Sequence, residues 1–279
     1  MNIKDAFDQS PYQVKKHSSY FASYERLFTP YKGKPITFVE VGILNGGSLF
    51  MWRKFWGEDV RIIGIDLNPE AKKWEAEGFE IFIGDQADSS FWERFFEDIG
   101  AIDILLDDGG HTFEQQIVTY QNALPHMKDG GLLVVEDTHT SFMHDFGGPS
   151  RYSFMSFAKN IADGIHYRSG NIAKANYETQ VASINFYESI IAFYIDRQIA
   201  GAKSTPVVNE GQNFGAMDYR HADSTIGSSL NHLTHKYVHL KRMPLIGPLL
   251  ASSWKFLQKT LLWLLSKRRI LTLGNYFKY

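Results

Sequence analysis

The 279-residue chain contains no cysteine. That excludes disulfides, thiolate metal sites and cysteine nucleophiles, and it fits a reducing compartment. An apolar leader is also missing: the opening MNIKDAFDQS is polar, which argues against export. Nowhere is there the run of about 18 apolar residues that a spanning helix needs. The most apolar tract, from Pro244 to Arg269, is broken by Lys255, Gln258 and Lys259. These absences predict a cytoplasmic location, with the inner face of a membrane as an option. A net charge of -2 offers no positive field for nucleic acid. Two common glycine fingerprints are absent as well. VEVGILNGGSLFMW, residues 39–52, passes from a buried strand through a glycine turn into a helix, but Gly42, Gly46 and Gly47 match neither G-x-G-x-x-G nor a phosphate loop ending in G-K-[ST].

What is present is enough apolar material, 44% of residues against 22% charged, to bury a full core as one domain plus extensions. Short β-rich runs alternate with helical patterns, the sign of a parallel α/β sheet. Strands are predicted over 36–42, 61–66, 80–85, 102–108 and 131–137, and helices over 47–56, 70–77, 89–99, 112–127 and 152–164. VASINFYESIIAFYIDR, 181–197, reads as an antiparallel hairpin turning at Glu188 and Ser189 and closing the sheet edge. The polar, turn-rich stretch 200–225 reads as a linker or long loop. The expected organisation is a tyrosine-rich helical segment over 1–32, a sheet domain over 33–200 and a C-terminal extension over 201–279.

Function is suggested by where the acids fall. Glu40, Asp66, Asp85, Asp107, Asp108, Glu136 and Asp137 all lie at or near the carboxyl ends of predicted strands, and in an open parallel sheet the ligand crevice lies at those ends. Asp66 ends the second strand about 20 residues beyond the glycine turn, where an acid can hydrogen-bond a ribose diol. A nucleoside without a diphosphate fits both this acid and the missing fingerprint, and S-adenosylmethionine is the common ligand of that kind. Gly42 and Gly46 would let the backbone approach its methionine end, Glu40 would face its positive charge, and Asp85 would meet its adenine. Asn45, Gln86 and Asp107 complete the expected cofactor-binding set. One strand further on, Asp108, Glu136 and Asp137 form an all-oxygen set suited to Mg²⁺ or another hard divalent cation. His111, three residues after Asp108, is the candidate general base toward a substrate hydroxyl.

EVGILNGGSLFMW, GIDLNP, GDQAD, DDGGHTFEQQIVTYQNALPHMKDGGLLVVEDTHTSF and SINFYESIIAFYIDR, in that order, resemble the family of the macrocin and mycinamicin sugar O-methyltransferases, whose relatives include rhamnosyl O-methyltransferases and cephalosporin hydroxylase-like proteins. KHSSYFASYERLF, 16–28, is similar to the tyrosine-rich segment preceding the fold there. The resemblance spans about residues 12 to 197. It implies a Rossmann-like class I methyltransferase sheet, mostly parallel with an antiparallel edge hairpin, that uses S-adenosylmethionine and Mg²⁺ to methylate a sugar hydroxyl. By motif, Asp108, Glu136 and Asp137 would hold the metal and His111 would be the base. Gly110 stands where the family's D-G-S-H has serine.

Two other readings stay open at this level: an iron oxygenase using His111, His139 and His144 with Asp108, and a noncatalytic module on the same fold. The expected partner is a sugar or glycan acceptor, lipid-linked or free. Over 249–269 a helical wheel places Leu250, Trp254, Leu257, Leu261, Leu264 and Leu265 on one face, flanked by Phe256 and Trp263. Such a helix suits either an anionic membrane surface or a contact with its own domain or a second copy.

Overall fold

The computed structural model describes residues 1–167, 179–212, 224–240, 247–271 and 273–276. Four near-continuous apolar runs become the parallel strands β1 (Thr37–Val41), β2 (Arg61–Asp66), β3 (Glu80–Ile83) and β4 (Ile102–Asp107). A fifth, β5 (Met127–Val135), lies parallel to β4. Apolar residues on both strand faces are what a sheet covered on both sides requires. The predicted hairpin forms β6 (Val181–Tyr187) and β7 (Ile190–Ile195), and β7 pairs antiparallel with β5. The resulting order is β3-β2-β1-β4-β5-β7-β6.

Helices α1 (Ile3–Asp8), α2 (Tyr20–Phe28) and α3 (Gly47–Trp56) contribute to the core on one face, where Tyr24, Phe28, Phe38, Trp52 and Trp56 pack together. On the other face α4 (Ser89–Ile99), α5 (Phe113–Ala123) and α6 (Phe154–His166) bury Trp92, Phe95, Tyr120 and Phe154 in a second cluster, in which Tyr120 and Phe154 pack against Phe193. A short α7 (Arg197–Gly201) follows the sheet. Strand order reverses between β1 and β4, so a crevice opens there at the carboxyl ends.

Local chemistry explains where boundaries depart from the periodicity. The helix expected over 70–77 is a 3₁₀ segment, Pro69–Glu77, started by Pro69 and by Asn68, whose side chain accepts from Glu70 N. The helix expected to reach 127 stops at Ala123, because Pro125 leaves no amide to continue it. As a result β5 begins at Met127 rather than 131.

Residues Met1–Pro206 form one compact unit and Val207–Tyr279 another. The segment 1–32 belongs to the first unit with the sheet. The second holds α8 (Thr225–Leu240) and α9 (Gly247–Ile270). Part of the expected linker, 213–223, lies outside the described residues. Among the described residues no helix is long and apolar enough to cross a membrane. Along α9 the flanking Phe256 and Trp263 are exposed, and Leu257 and Leu264 about half so.

Candidate active site

Glycine at 42 is a steric requirement. Its φ is +82°, and a Cβ there would lie 2.2 Å from the Asp108 carbonyl oxygen, so the loop after β4 can close against β1 only where no side chain intervenes. The same turn is tied down by Asp66. One of its carboxylate oxygens accepts from Ile43 N at 3.0 Å and Leu44 N at 3.1 Å, and the other accepts from Asn68 N at 2.8 Å. Gly42, Asp66, Leu67, Asp85 and Gln86 line one end of a cavity of about 450 Å³ at the strand-order reversal, and Asp108, His111, Glu136 and Asp137 line the other.

The rest of the expected cofactor set is placed elsewhere. Glu40 is fully buried and does not line the cavity; Ser48 Oγ and Trp52 Nε1 donate to it at 2.7 and 2.9 Å, so it anchors the start of α3. Burial, partly offset by the Lys16 charge, pushes its carboxyl up to about 7. Asn45 is exposed and also outside the lining, and Gly46 sits beneath the turn, where a Cβ would meet the Trp74 indole at 2.3 Å. Asp107 is buried behind the rim. Its Oδ1 accepts from Gln86 Nε2 at 2.9 Å and Gly109 N at 3.2 Å, while Oδ2 has no hydrogen-bond partner among the described residues. Gln86 Oε1 in turn accepts from Gly110 N at 2.8 Å, so Gln86 and Asp107 together set the course of the loop bearing Asp108 and His111.

Burial, opposed by the Gln86 and Gly109 hydrogen bonds, pushes Asp107 from its ordinary 3.8 up to about 7. The folded chain therefore keeps a proton there that the unfolded chain gives up. The stability tied to that proton is complete below about pH 4 and is lost as pH rises through about 7. Asp107→Asn keeps an acceptor for both amides, so thermal melts from about pH 4 to 8 should show a shallower decline than wild type. An unchanged decline would mean that another group titrates.

At the other end of the cavity, His111 and Asp137 both adopt the left-handed backbone conformation, with φ of 60° and 53°. Side chains seldom hold it, and residues that do cluster where geometry serves function. Thr140 Oγ1 secures the first by donating to the His111 carbonyl at 3.1 Å. His111 Nε2 lies 3.3 Å from Asp137 Oδ2 and 4.0 Å from Asp108 Oδ1. Of the three expected ligands, Asp108 and Asp137 thus come together with His111, their ligand atoms all within 4.8 Å. Glu136, with 1% of its side chain exposed, lies deeper and is engaged from α2 and the segment before it. The Tyr24 hydroxyl donates to it, and Lys16 Nζ reaches both its oxygens at 3.1 Å as well as Asp108 Oδ2 at 2.5 Å. Burial, then the Asp108 charge, raises the Glu136 carboxyl well above its ordinary range, with Lys16 opposing. For Lys16 burial acts downward, but Asp108, Glu136 and Glu40 outweigh it and hold the ammonium above its ordinary value. The Tyr20 hydroxyl donates to Asp137 Oδ1.

This end of the cavity fits a divalent cation by its chemistry. Its donors are carboxylate oxygens, and the Lys16 ammonium already fills one cationic position among them. The set His111, His139, His144 and Asp108 does not come together: among the described residues His139 groups with His17 and Asp137, and His144 joins no potential ligand set. Lys16, Tyr20 and Tyr24 had no assigned role in the sequence reading. Their signals there are the resemblance of segment 16–28 to the family's tyrosine-rich stretch and the four-residue spacing that puts both tyrosines on one face of α2.

Residues 39–138 match a family model described as a methyltransferase domain. The chain thus resembles methyltransferases over that stretch. It is similar to the 8-demethyl-8-alpha-L-rhamnosyl tetracenomycin-C 2'-O-methyltransferase of Streptomyces olivaceus, 30% identical over 198 residues, or 66% of this chain and 51% of that one. The mycinamicin VI 2''-O-methyltransferase of Micromonospora griseorubida is 31% identical over 157 residues, 52% of this chain and 39% of the relative. The chain spans about half the length, or less, of these curated relatives. Among solved structures, the MycE methyltransferase of the mycinamycin biosynthetic pathway, in complex with Mg, SAH and mycinamycin VI, superposes with a TM-score of 0.63 at 23% identity, covering 75% of this chain and 57% of that one. That likeness is one of fold.

Proposed function

We propose that the chain transfers a methyl group from S-adenosylmethionine to a hydroxyl of a sugar, with a divalent cation and with His111 as the base. One observation supports this above the others: a single cavity has Gly42, Asp66, Asp85 and Gln86 at one end and Asp108, His111, Glu136 and Asp137 at the other. The first group is suited to a nucleoside donor and the second to a hydroxylated acceptor. The two relatives, named for O-methylation of rhamnosyl tetracenomycin-C and of mycinamicin VI, point to a sugar as the acceptor.

Asp66 would hold the donor's ribose diol, and the backbone at Gly42 would lie along its methionine end; the donor supplies an electrophilic methyl on sulfur. Asp108, Asp137 and Glu136 would hold the cation, which when bound lowers the pKa of an acceptor hydroxyl. His111 Nε2 is placed to take the hydroxyl proton. Once Nε2 is protonated, Asp137 at 3.3 Å, and more weakly Asp108 at 4.0 Å, would stabilise the imidazolium that results. The carboxylates also fix the acceptor oxygen relative to the donor, and such positioning supplies much of the acceleration of a displacement.

The test is incubation of the full chain with Mg²⁺, methyl-labelled donor and a panel of deoxysugar glycosides, read by mass spectrometry. A mass gain of one methyl on the sugar is expected, with donor binding weakened in Asp66→Ala. Turnover unaffected by a chelator would overturn the cation's part, and no methylated glycoside from a panel that includes rhamnosides would overturn the acceptor class.

We further propose that α9 lies against an anionic membrane surface, which would suit a lipid-linked acceptor. Phe256, Leu257, Trp263 and Leu264 are exposed along it, and Lys255, Lys259 and Lys267 supply positive charge. Co-sedimentation with phosphatidylserine vesicles should be lost in Phe256→Ala/Trp263→Ala. A concentration-dependent dimer that shows no vesicle binding would assign the face to a second copy instead.

A further inference from the structure

Asp137 faces two ways. Its Oδ2 looks toward His111 at 3.3 Å, inside the carboxylate end of the cavity, while its Oδ1 looks toward His139 Nδ1 at 4.0 Å. That imidazole nitrogen is shielded from solvent and, among the described residues, has no hydrogen-bond partner, an arrangement that costs free energy unless something completes it. Opposite His139 stands His17, the two rings edge-to-face with centroids 5.5 Å apart. One ligand atom each from His17, Asp137 and His139 lies within 4.8 Å of the others. His17 is held there from both sides. The preceding Lys16 is fastened to Asp108 and Glu136, and the His17 carbonyl accepts from Tyr20 N at 3.0 Å as the chain enters α2.

We propose that His17, Asp137 and His139 form a second cation site, for a borderline divalent ion such as Zn²⁺ or Co²⁺, joined to the carboxylate site through Asp137. Two imidazoles and one carboxylate are the donors that Zn²⁺, Co²⁺ and Ni²⁺ take in preference to Mg²⁺. Three protein ligands leave further positions for water or an acceptor oxygen. The neighbouring set, carboxylates with a lysine among them, has the opposite preference, for a hard cation. The two sites therefore differ in what they bind. An ion at the histidine site would use Asp137 Oδ1, the oxygen that now accepts from Tyr20, and would leave Oδ2 facing His111.

Co²⁺ is the probe, because nitrogen ligation in a site of low coordination gives it visible absorption. Metal-stripped full-length protein is titrated with Co²⁺ in excess Mg²⁺, alongside His17→Ala, His139→Ala and Asp108→Asn. The expected result is a saturable visible band in wild type. Each histidine variant should weaken its appearance by more than about 100-fold, beyond the 10–100-fold brought by losing a residue that only orients a ligand. Asp108→Asn, which disables the neighbouring site and leaves this one whole, should retain the band. Absence of the band in wild type overturns the proposal. So does a band that ignores both histidine substitutions, or one lost in Asp108→Asn while that variant melts as wild type does, since Co²⁺ would then sit with Asp108 and His111. The readout needs no methyl transfer, so it stands apart from the fate of the proposed activity.

Discussion

Replacing His111 by asparagine is expected to lower kcat by about 10²-fold or more while leaving affinity for the methyl donor near wild type, the signature of losing a general base and not a binding residue. Asparagine is the informative substitution because of the backbone. Residue 111 holds a φ of 60°, a conformation that histidine, asparagine and aspartate adopt far more readily than alanine. Alanine would add a strain of about 1 kcal/mol to the chemical loss, and a melting shift could then be mistaken for the whole effect. Measuring kcat, donor affinity and melting temperature on both variants separates the two contributions. The base assignment requires both variants to lose the same turnover per folded molecule, with alanine alone losing extra stability. Near-normal kcat in the asparagine variant would reduce His111 to a loop residue that happens to suit its conformation.

The sheet was legible because its inner strands β1, β2, β4, β5 and β7 are largely buried on both faces and therefore read as near-continuous apolar runs, closed in β2 and β4 by an acid where the chain emerges. That Asp66 and Asp108 line the cavity was legible for the same reason: they mark strand ends, and the crevice of an open parallel sheet lies at those ends. Glu40 was misplaced by attending to the strand's end and not to its alternation. Two residues after Phe38, it shares that residue's face and so points under α3 toward Ser48 and Trp52. Nothing comparable could reveal what α2 and its approach do. Lys16 meets Asp108 across 92 residues, and Tyr24 and Tyr20 meet Glu136 and Asp137 across 112 and 117. Periodicity tells which residues share a face of one helix, but it carries no information about which strand end that face will meet. Strand ends therefore point to Asp66, Asp85, Asp108, Glu136 and Asp137 of the candidate site, and not to the ammonium and hydroxyls that contact three of them.

Lys16 is consequently where the second large effect is expected. Its side chain is 2% exposed and Glu136's 1%, with Nζ 3.1 Å from both carboxylate oxygens and 2.5 Å from Asp108. In Lys16→Met the stem's volume is largely kept and the charge is gone, leaving buried carboxylates uncompensated. Losing one partner of such a pair costs about 3–5 kcal/mol, which in a unit of this size lowers Tm by roughly 10 °C. The loss should grow with pH. Burial and Asp108 already hold the Glu136 carboxyl above its ordinary range, and Lys16 is what opposes them. Without Lys16 the folded form takes up a proton more readily still, so stability persists at low pH and falls as pH climbs past the ordinary carboxylate range. Divalent cation should then do in the variant part of what the ammonium does in wild type. If Asp108, Glu136 and Asp137 hold the ion, saturating Mg²⁺ will raise Tm more in Lys16→Met than in the parent, by mass action on the folded state alone. Melting curves at two pH values, with and without Mg²⁺, decide it. A variant as stable as wild type would show that Glu136 is protonated and needs no counter-ion. A destabilised variant that ignores Mg²⁺ would remove Glu136 from the ion's ligands and leave Asp108 and Asp137, with His111, as the set that remains.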